Sequence, residues 1–573
     1  METTYLKKIA HILRFSQKKS VFPLVFLLFI AALLESLSIG LIVPFLSFIV
    51  DPTLLENQFF FLKIVNYQNY SLNFLYVLAI IILISVFVFK SIFLVFTSWY
   101  QFTYTASLIE NLSYDLFSIY MNQSYMFHKN HHSSKLTRNV TAEVAAFQSI
   151  LFSIFTLLID SLVVLGVIIL LLYFEHLATL TIIFPIFIFA YLFYLYFKKK
   201  LSNWGGIRMF NDYSRLQFLM QGFEGIKDIK IFGVQKYVLS QFSRSNKIVA
   251  IMNRNTQFLI NQSRVIMELL AVFLFLTLLL VFLFRGISFT SSIPIIGLFT
   301  VAAFRVLPSV NRIIVSLQTL KFFDTVVHTI YNEIRLPYED REFEDIDIPF
   351  NKQISFKDVA FEYSNPIKKI FQSLNINIEK NQSIGIYGSS GHGKSTMIDL
   401  LLGLIEPKHG KILVDEINIQ RNLYNWHKNI GYVPQQITLN DDSIKRNIAI
   451  GYDEKDINME KMDEVIKLVE LSNFIDSLPE KTNTKVGERG VNLSGGQKQR
   501  IGIARALYID PSLLIFDEAT SSLDIETEKK IFDSLKKIKK NRTLVLVTHK
   551  VDLLGFCDVI FEIRDGVCNK IKT

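Results

Sequence analysis

Apolar residues form long runs in the first part of the chain, where a soluble protein would alternate them with polar residues. A helix of about 20 apolar residues crosses the core of a bilayer, and six stretches reach that length. The predicted membrane helices cover about residues 21–50, 73–104, 140–174, 178–210, 250–284 and 287–320. Only Glu175, His176 and Leu177 separate the third run from the fourth, so we expect these two helices to form a hairpin whose tip lies outside the cell.

The pattern changes after the sixth run. Residues from about 321 onward become charged and acidic, which predicts a linker. We therefore predict a transmembrane domain over residues 1–325, a linker over 326–352 and a soluble domain over 353–573.

Basic residues flank the apolar runs. The formal net charge is +9, and Lys18, Lys19 and residues 198–200 lie beside predicted membrane helices. This placement is typical of cytoplasmic flanks under the positive-inside rule, so we predict membrane lipid as a partner and no nucleic acid. Six crossings then return the chain to the cytoplasm, where the soluble domain begins.

The composition also favours a membrane protein. Hydrophobic residues make up 51% of the 573 residues, with 51 Phe and 23 Tyr, a larger apolar share than is usual for a soluble protein. The first apolar run is too long for a signal-peptide core, so we expect it to stay in the protein. The two cysteines, Cys557 and Cys568, support neither a disulfide framework nor a metal cluster, and we expect both to be inert.

Residues 54–67 connect the first two predicted membrane helices and mix Phe59, Phe60 and Phe61 with charged residues. This stretch fits a short helix lying on the outer membrane surface. It fits an ordered apolar loop packed on the membrane helices equally well, so both structures stay open.

The strongest chemical signal is the segment Gly388-Ser-Ser-Gly-His-Gly-Lys394-Ser395-Thr396, which follows an apolar strand and opens a helix. Glycines let successive backbone amides turn toward a phosphate, Lys394 adds a positive charge at the phosphate oxygens, and the Ser395 hydroxyl can bind Mg²⁺. The predicted phosphate loop consists of Gly388, Ser389, Ser390, Gly391, His392, Gly393, Lys394, Ser395 and Thr396.

Two adjacent carboxylates, Asp517 and Glu518, end a second apolar strand about 120 residues further on. Asp517 is placed to hold Mg²⁺ through water, and Glu518 to polarise an attacking water. Such a pair is more often structural when it stands alone. Together with the phosphate loop, it predicts nucleotide hydrolysis.

The segment Leu493-Ser-Gly-Gly-Gln497 lies between these two motifs and precedes a basic helix. Here the chain resembles the ATP-binding cassette family, whose signature motif has this sequence. The resemblance implies ATP and Mg²⁺ as cofactors and a homodimer, because the signature motif binds ATP that is held by the opposite copy. The residues implied are Ser494, Gly495, Gly496 and Gln497.

Four further positions resemble residues of that family. Tyr363 resembles the aromatic that stacks on adenine, although a packed strand tyrosine is the alternative. Gln435 resembles the glutamine near Mg²⁺ and the attacking water, and His549 resembles the switch histidine at the γ-phosphate. Asp524, in Ser-Leu-Asp, resembles the loop that crosses the dimer interface. The catalytic set is then Glu518, His549 and Gln435, and the metal set is Ser395, Gln435 and Asp517.

The resemblance also implies the fold class and the direction of transport. Residues 484–490 resemble a segment that is typical of exporters in this family. We therefore expect a multi-domain membrane protein with six transmembrane helices in the exporter fold, followed by an α/β P-loop ATPase domain. Its implied activity is ATP hydrolysis coupled to transport across the membrane.

Basic residues also occur within or beside the predicted membrane helices. A charge inside a membrane span is costly and is a functional hypothesis by default. The candidates for a basic substrate cavity are Lys90, Arg264, Arg305 and Arg312. The alternative is that Arg264 and Arg312 are solvated beyond the bilayer, with Glu268 one turn away from Arg264 to neutralise it.

Residues 304–314, together with Lys90, Arg264 and the first span with its Glu35, resemble the PglK-type flippases of lipid-linked oligosaccharides. The resemblance implies a polyprenyl-diphosphate oligosaccharide, moved across a bacterial inner membrane for glycoprotein or surface-polysaccharide assembly. It also implies that arginines engage the diphosphate and that an external helix near residues 54–67 engages the lipid. Lys90 stands where an arginine is expected and lacks its planar fork. Export of phospholipid, lipid A or drugs stays open as the alternative.

Overall fold

The computed structural model describes most of the chain. The described residues are 2–16, 21–41, 45, 71–174, 176–284, 289–337, 346–364, 367–389, 391–519, 525–538, 542–549, 554–555, 557–564 and 566–572. They form two compact units, one of Met1–Gln123 and His128–Glu339, the other of Ser124–Phe127 and Asp340–Thr573.

Long helices build the first unit. The helices up to residue 334 are α1 (Glu2–Ser16), α2 (Phe22–Gly40), α3 (Leu72–Met121), α4 (Tyr125–Asn130), α5 (Ser133–Arg138), α6 (Val144–Phe174), α7 (His176–Glu224), α8 (Ile226–Ile231), α9 (Gln235–Phe284), α10 (Phe289–Phe322) and α11 (Asp324–Ile334). A π-helical segment, Asn139–Glu143, joins α5 to α6. Each predicted membrane helix overlaps one of these helices, although α3, α7 and α9 extend well beyond the predicted bounds and α2 ends at Gly40, with most of the predicted stretch to residue 50 outside the described residues. The predicted surface stretch at 54–67 and the hairpin residue Glu175 lie outside the described residues.

Several helices have the length and apolarity that a bilayer requires. Within the residues that the structure describes, Asn73–Met121, Ser133–Tyr173 and Gln235–Thr277 could each cross a membrane. A fourth span results if Ala302–Phe322 and Asp324–Ile334, bent by 50° at their junction, count together. The number of six crossings therefore stays a prediction.

One face of α3 presents apolar side chains outward. Ile81, Ile84, Val88, Ile92 and Val95 follow one another at helical spacing, and each is more than half exposed. A soluble protein rarely leaves so long an apolar stripe uncovered. The stripe is the kind of surface that lipid covers.

The core of the first unit lies where α1 and α11 pack with α3 and α6. Ile12, Leu112, Phe147 and Val327 are fully buried there. Apolar residues at helical spacing give each helix one face for this contact.

Charged residues are also buried beside this core. Glu143, at the end of the π-helical segment, has no exposed surface and lies 3.4 Å from Arg138 Nε and 3.5 Å from Arg208 Nη2. Arg208 also lies 3.6 Å from the Asp212 carboxylate. A buried ion cluster of this kind is tolerated because the charges compensate one another.

The second unit combines two sheets with short helices. Its strands are β1 (Gln353–Ser364), β2 (Ile367–Glu379), β3 (Ser383–Tyr387), β4 (His409–Val414), β5 (Ile417–Asn418), β6 (Ile430–Val433), β7 (Leu513–Asp517), β8 (Thr543–Val547), β9 (Val559–Arg564) and β10 (Val567–Lys572). Its helices are α12 (Lys394–Leu401), α13 (Leu423–His427), α14 (Ile444–Ile448), α15 (Met459–Leu468), α16 (Ser472–Asp476), α17 (Gly495–Tyr508) and α18 (Ile525–Ile538).

The larger sheet determines where polar residues meet. Its order is β10-β9-β3-β8-β7-β6, and all neighbours are parallel except β9 and β10. Strands β3, β7 and β8 are apolar runs with buried interiors, which is typical of parallel strands covered on both faces. Because parallel strands end at the same edge, the residues after β3, β7 and β8 come together there. The smaller sheet, β2-β1-β4-β5, is antiparallel.

Candidate functional site

The loop between β3 and α12 has the backbone of a phosphate-binding loop. Gly388 and Gly393 have φ angles of +154° and +106°, which favour glycine. A Cβ atom at Gly388 would lie 2.4 Å from the Ile563 carbonyl oxygen, and one at Gly393 would lie 2.7 Å from Ile370 Cγ2. The predicted order of strand, loop and helix is confirmed, while Ser390 lies outside the described residues.

Lys394 is held inside this loop. Its side chain is buried, and its Nζ donates hydrogen bonds to the carbonyl oxygens of Gly388 at 2.8 Å and Ser389 at 3.1 Å. Burial lowers the pKa of Lys394, and the carboxylates of Glu518 and Asp517 act in the opposite direction. The amine of Lys394 therefore lies against the backbone of the loop. From there it can donate a hydrogen bond to a phosphate bound by the loop.

Three predicted catalytic residues meet at the edge of the sheet. The Gln435 side-chain amide donates to Glu518 Oε2 at 2.7 Å, and His549 Nε2 lies 2.6 Å from Glu518 Oε1. The same His549 nitrogen lies 3.3 Å from Lys394 Nζ. Glu518 has a φ of +49° and donates its backbone amide to the Val547 carbonyl at 3.0 Å, which fixes its position beside β8. This carboxylate is placed to accept a proton from water.

Asp517 provides a second carboxylate at this edge. Burial raises its pKa, and the negative charge of Glu518 raises that pKa further. Tyr432 donates a hydrogen bond to Asp517 Oδ2 at 3.5 Å. Carboxylate and hydroxyl oxygens are the ligands that Mg²⁺ prefers, and Ser395 has an exposed hydroxyl in the first turn of α12. Asp517 and Ser395 therefore suit Mg²⁺, whose charge would offset that of the two acids.

Tyr432 is a site residue that the sequence interpretation did not single out. Burial and the Asp517 carboxylate raise the pKa of its phenol, so it remains a hydrogen-bond donor. It stands three residues before Gln435, in Tyr-Val-Pro-Gln, and this proximity was the available signal.

Tyr363, in β1, contacts the first turn of α12. Its hydroxyl lies 3.2 Å from Thr396 Oγ1, and its ring packs edge-on against Phe361 at 5.0 Å. The structure thus brings Tyr363 to the phosphate loop. Its stacking on adenine stays a prediction.

The signature segment begins α17. Ser494 caps this helix by accepting a hydrogen bond from the Gln497 backbone at 3.2 Å, and Gln497 Oε1 accepts one from the Ser494 backbone at 2.7 Å. Such a reciprocal cap fixes the first turn of a helix. Ser494 and Gly495 are exposed, so the amino end of α17 is open to a ligand. Asp524 lies outside the described residues.

The predicted cavity residues of the first unit all have polar partners. Arg305 forms an ion pair with Glu35, and Arg312 donates to the two Asp160 carboxylate oxygens at 2.8 and 2.5 Å. Lys90 Nζ donates to a serine hydroxyl at 3.3 Å and lies 4.2 Å from the centre of a phenylalanine ring. Arg264 donates to Glu268 at 2.9 Å, the pairing that its spacing predicted. The sequence predicts a basic cavity from these residues, whereas the structure places a carboxylate beside each arginine of the set.

An apolar cavity of about 80 Å³ lies between α6, α7, α9 and α10. Its lining is entirely hydrophobic and includes Val164, Ile168, Ile186, Phe275, Ala302 and Val306. Val164 is one helical turn from Asp160, so the cavity begins close to the pair of Asp160 and Arg312.

Comparison with known families matches both units. Residues 371–521 match the family described as ABC transporter, and residues 20–306 match the family described as ABC transporter transmembrane region. The second match alone covers half of the chain.

Individual relatives match over less than two fifths of this chain. ATP-binding cassette sub-family B member 5 of Homo sapiens is 40% identical over 216 residues, which are 37% of this chain and 17% of that protein. ABC transporter B family member 3 of Dictyostelium discoideum is 40% identical over 217 residues, 38% of this chain and 15% of that protein. The chain therefore matches less than a fifth of the length of either relative.

A solved structure matches nearly the whole chain. It is described as the structure of a bacterial Atm1-family ABC exporter with ATP bound, and it superposes with a TM-score of 0.81. The match covers 97% of this chain and 96% of that chain at 20% sequence identity. At this identity, the likeness shows a shared fold.

Proposed function

Because this chain belongs to the ABC transporter family, we propose that it is an ATP-driven flippase for a lipid-linked oligosaccharide with a polyprenyl-diphosphate head. Its ATPase domain uses ATP with Mg²⁺, as is usual in the family, and hydrolysis is coupled to transport. The substrate moves from the cytoplasmic to the periplasmic side of a bacterial inner membrane, for glycoprotein or surface-polysaccharide assembly.

The hydrolytic chemistry follows from the positions of the site residues. The phosphate loop and Lys394 bind the nucleotide phosphates, while Ser395, Gln435 and Asp517 would hold Mg²⁺, whose positive charge would offset that of the phosphate oxygens. Glu518 accepts a proton from the attacking water at a carboxylate oxygen. The contacts of Gln435 and His549 with that carboxylate, at 2.7 and 2.6 Å, support this role because they orient it.

The substrate class rests on one observation, the presence of arginines on the membrane helix α10. Arg305 and Arg312 are two helical turns apart on the same face, and Lys90 adds a third positive charge from α3. Arginine suits phosphate because its planar fork makes paired hydrogen bonds. The apolar cavity that begins beside Asp160 and Arg312 supports an adjoining apolar tail.

The remaining organisation is part of the proposal. Six membrane helices belong to a transmembrane domain at 1–325, and a linker at 326–352 leads to the nucleotide-binding domain at 353–573. The working unit is a homodimer, because the exposed signature segment of one copy completes the phosphate loop of the other. The solved exporter of the same fold is described with ATP bound, which supports ATP as the nucleotide.

A second candidate function is the export of phospholipid, lipid A or drugs. The pairing of Arg305 with Glu35 and of Arg312 with Asp160 favours it, since neutralised arginines and an apolar cavity suit an amphiphile of low charge.

Translocation of a fluorescent polyprenyl-diphosphate oligosaccharide in proteoliposomes tests the proposal. Wild type and Arg305→Ala are compared, and ATP hydrolysis is measured in parallel. We expect ATP-dependent flipping by wild type and its loss in the variant, with ATP hydrolysis retained. Absence of flipping by a wild type that hydrolyses ATP would favour the second candidate.

A further inference from the structure

Two buried carboxylates in membrane helices have no part in the ATPase chemistry. Glu35 in α2 is 7% exposed, and Asp160 in α6 is 2% exposed. Each belongs to a different helix from the arginine that it contacts, Arg305 or Arg312 of α10. Glu35 thus contacts Arg305 from α2, and Asp160 contacts Arg312 from α6.

An unpaired charge among membrane helices is costly, so each carboxylate keeps its arginine stable when no substrate is present. The pairs are also asymmetric. The arginine side chains are 30% and 43% exposed, whereas the Glu35 and Asp160 side chains are 9% and 3% exposed. The positive partner is thus the accessible one, and the negative partner lies behind it.

Arg312 has further hydrogen-bonding capacity. It uses Nε and Nη2 on Asp160, and Nη2 also donates to Ser309 Oγ at 3.1 Å. A guanidinium has five N–H donors. An anion that approaches from the exposed side therefore meets a cation that is already oriented by its carboxylate.

We propose that Glu35 and Asp160 are counter-ions that an anionic head group displaces from Arg305 and Arg312, so that the two carboxylates set the head-group charge that the transporter accepts. This inference rests on the proposed function. A neutral head group cannot replace a carboxylate at an arginine without leaving charge uncompensated. A diphosphate carries more negative charge than a monophosphate, so it competes better with Glu35 and Asp160 for the two arginines.

Binding of short prenyl probes tests the inference. Full-length wild type, Glu35→Gln and Asp160→Asn are purified in detergent, and their affinities for farnesyl diphosphate, farnesyl monophosphate and farnesol are measured. Glu110→Gln is the control, because it removes one negative charge from an exposed position on α3. We expect both variants to bind farnesyl diphosphate about fivefold more tightly or better, to prefer it less over the monophosphate, and to bind farnesol like wild type.

The outcomes separate this inference from the proposed function. Wild-type binding of farnesyl diphosphate with no gain in either variant overturns the counter-ion role and leaves the proposed substrate class standing. Binding by the variants alone supports the counter-ion role. Binding by no form overturns both.

A measurement on the wild type covers the case in which a variant fails to fold. Dicyclohexylcarbodiimide, an apolar reagent for carboxyl groups, is added with and without farnesyl diphosphate, and labelled peptides are quantified by mass spectrometry. Displacement from the arginines should increase the labelling of Glu35 and Asp160 severalfold. Unchanged labelling would overturn the inference.

Discussion

Glu518 is the residue on which the proposed hydrolysis depends most. Its carboxylate has Gln435 on one oxygen and His549 on the other. Glu518→Gln keeps the size of the side chain but removes the proton acceptor, so phosphate release should fall about 100-fold or more. Binding of a fluorescent ATP analogue should persist. Hydrolysis above a tenth of the wild-type rate would remove Glu518 from this role.

Gly393 is one of the residues whose backbone restricts the phosphate loop. Gly393→Ala combines a φ of +106° with a Cβ atom 2.7 Å from Ile370 Cγ2, so the loop must shift. We expect ATP affinity to fall about tenfold or more, since such strain costs about 1–3 kcal/mol. Gly451→Ala is the control, because Gly451 has a φ of +85° but no atom within 4 Å of its added Cβ. Equal effects of the two substitutions on ATP affinity would contradict the argument.

Cys568 gives a prediction about pH. Burial raises the pKa of its thiol to about 12, so the thiolate fraction at pH 8 is about one in 10,000. Alkylation by iodoacetamide at pH 8 should therefore be slow in the folded protein and fast after denaturation. Mass spectrometry measures both rates. Rapid labelling of the folded protein would show that the thiol is more accessible than its burial indicates.

At the scale of elements, the π-helical segment Asn139–Glu143 explains how a charged cluster enters the helical core. A π-helix is wider than an α-helix and alters the direction of its side chains. Arg138 directly precedes the segment, Glu143 is its last residue, and Arg208 approaches from α7. The sequence predicted a membrane helix from about residue 140, and the structure adds the π-helical turn at its start.

Glu143→Ala should destabilise the protein strongly. The substitution removes the carboxylate that lies between Arg138 and Arg208, and the loss of one partner from a buried ion pair costs about 3–5 kcal/mol. Thermal unfolding of the full-length protein in detergent should shift to clearly lower temperature. Glu110→Gln, at an exposed position, should leave the unfolding temperature unchanged. Equal unfolding temperatures for both variants would show that the cluster contributes little.

At the scale of the whole molecule, the fold is that of an ABC exporter, a helical transmembrane domain with an α/β ATPase domain. In the proposed homodimer, the exposed amino end of α17 completes the nucleotide site of a second copy. Two inactive variants, Lys394→Ala and Ser494→Arg, test this arrangement. In a mixed dimer both lesions fall in one composite site and leave the other intact.

Purified mixed dimers, selected with two different tags, should regain about half of the wild-type ATP hydrolysis, because one of the two equivalent sites is complete. Homodimers of either variant should be inactive. Mixed dimers that remain inactive would contradict the composite site.

The sequence alone determined the local structure, which depends on residues that are neighbours along the chain. Apolar runs predicted helices for a membrane environment, and the glycines around Lys394 predicted a tight loop after β3. The confirmed positions of β3 and α12 show why this succeeds, since a glycine-rich turn and an apolar strand are local properties. The spacing of Arg264 and Glu268 predicted their contact for the same reason.

Only the tertiary structure decided which distant residues meet. The parallel order of β3, β8, β7 and β6 brings Gln435, Glu518 and His549 to one edge, although they come from separate parts of the chain. The packing of α6 with α10 places Asp160 beside Arg312, across 152 positions of sequence. The basic residues along the predicted membrane helices indicated a basic cavity, whereas the structure places a carboxylate beside each arginine of that set. The reason is that charge compensation depends on distance in space, which helix packing sets and sequence spacing does not.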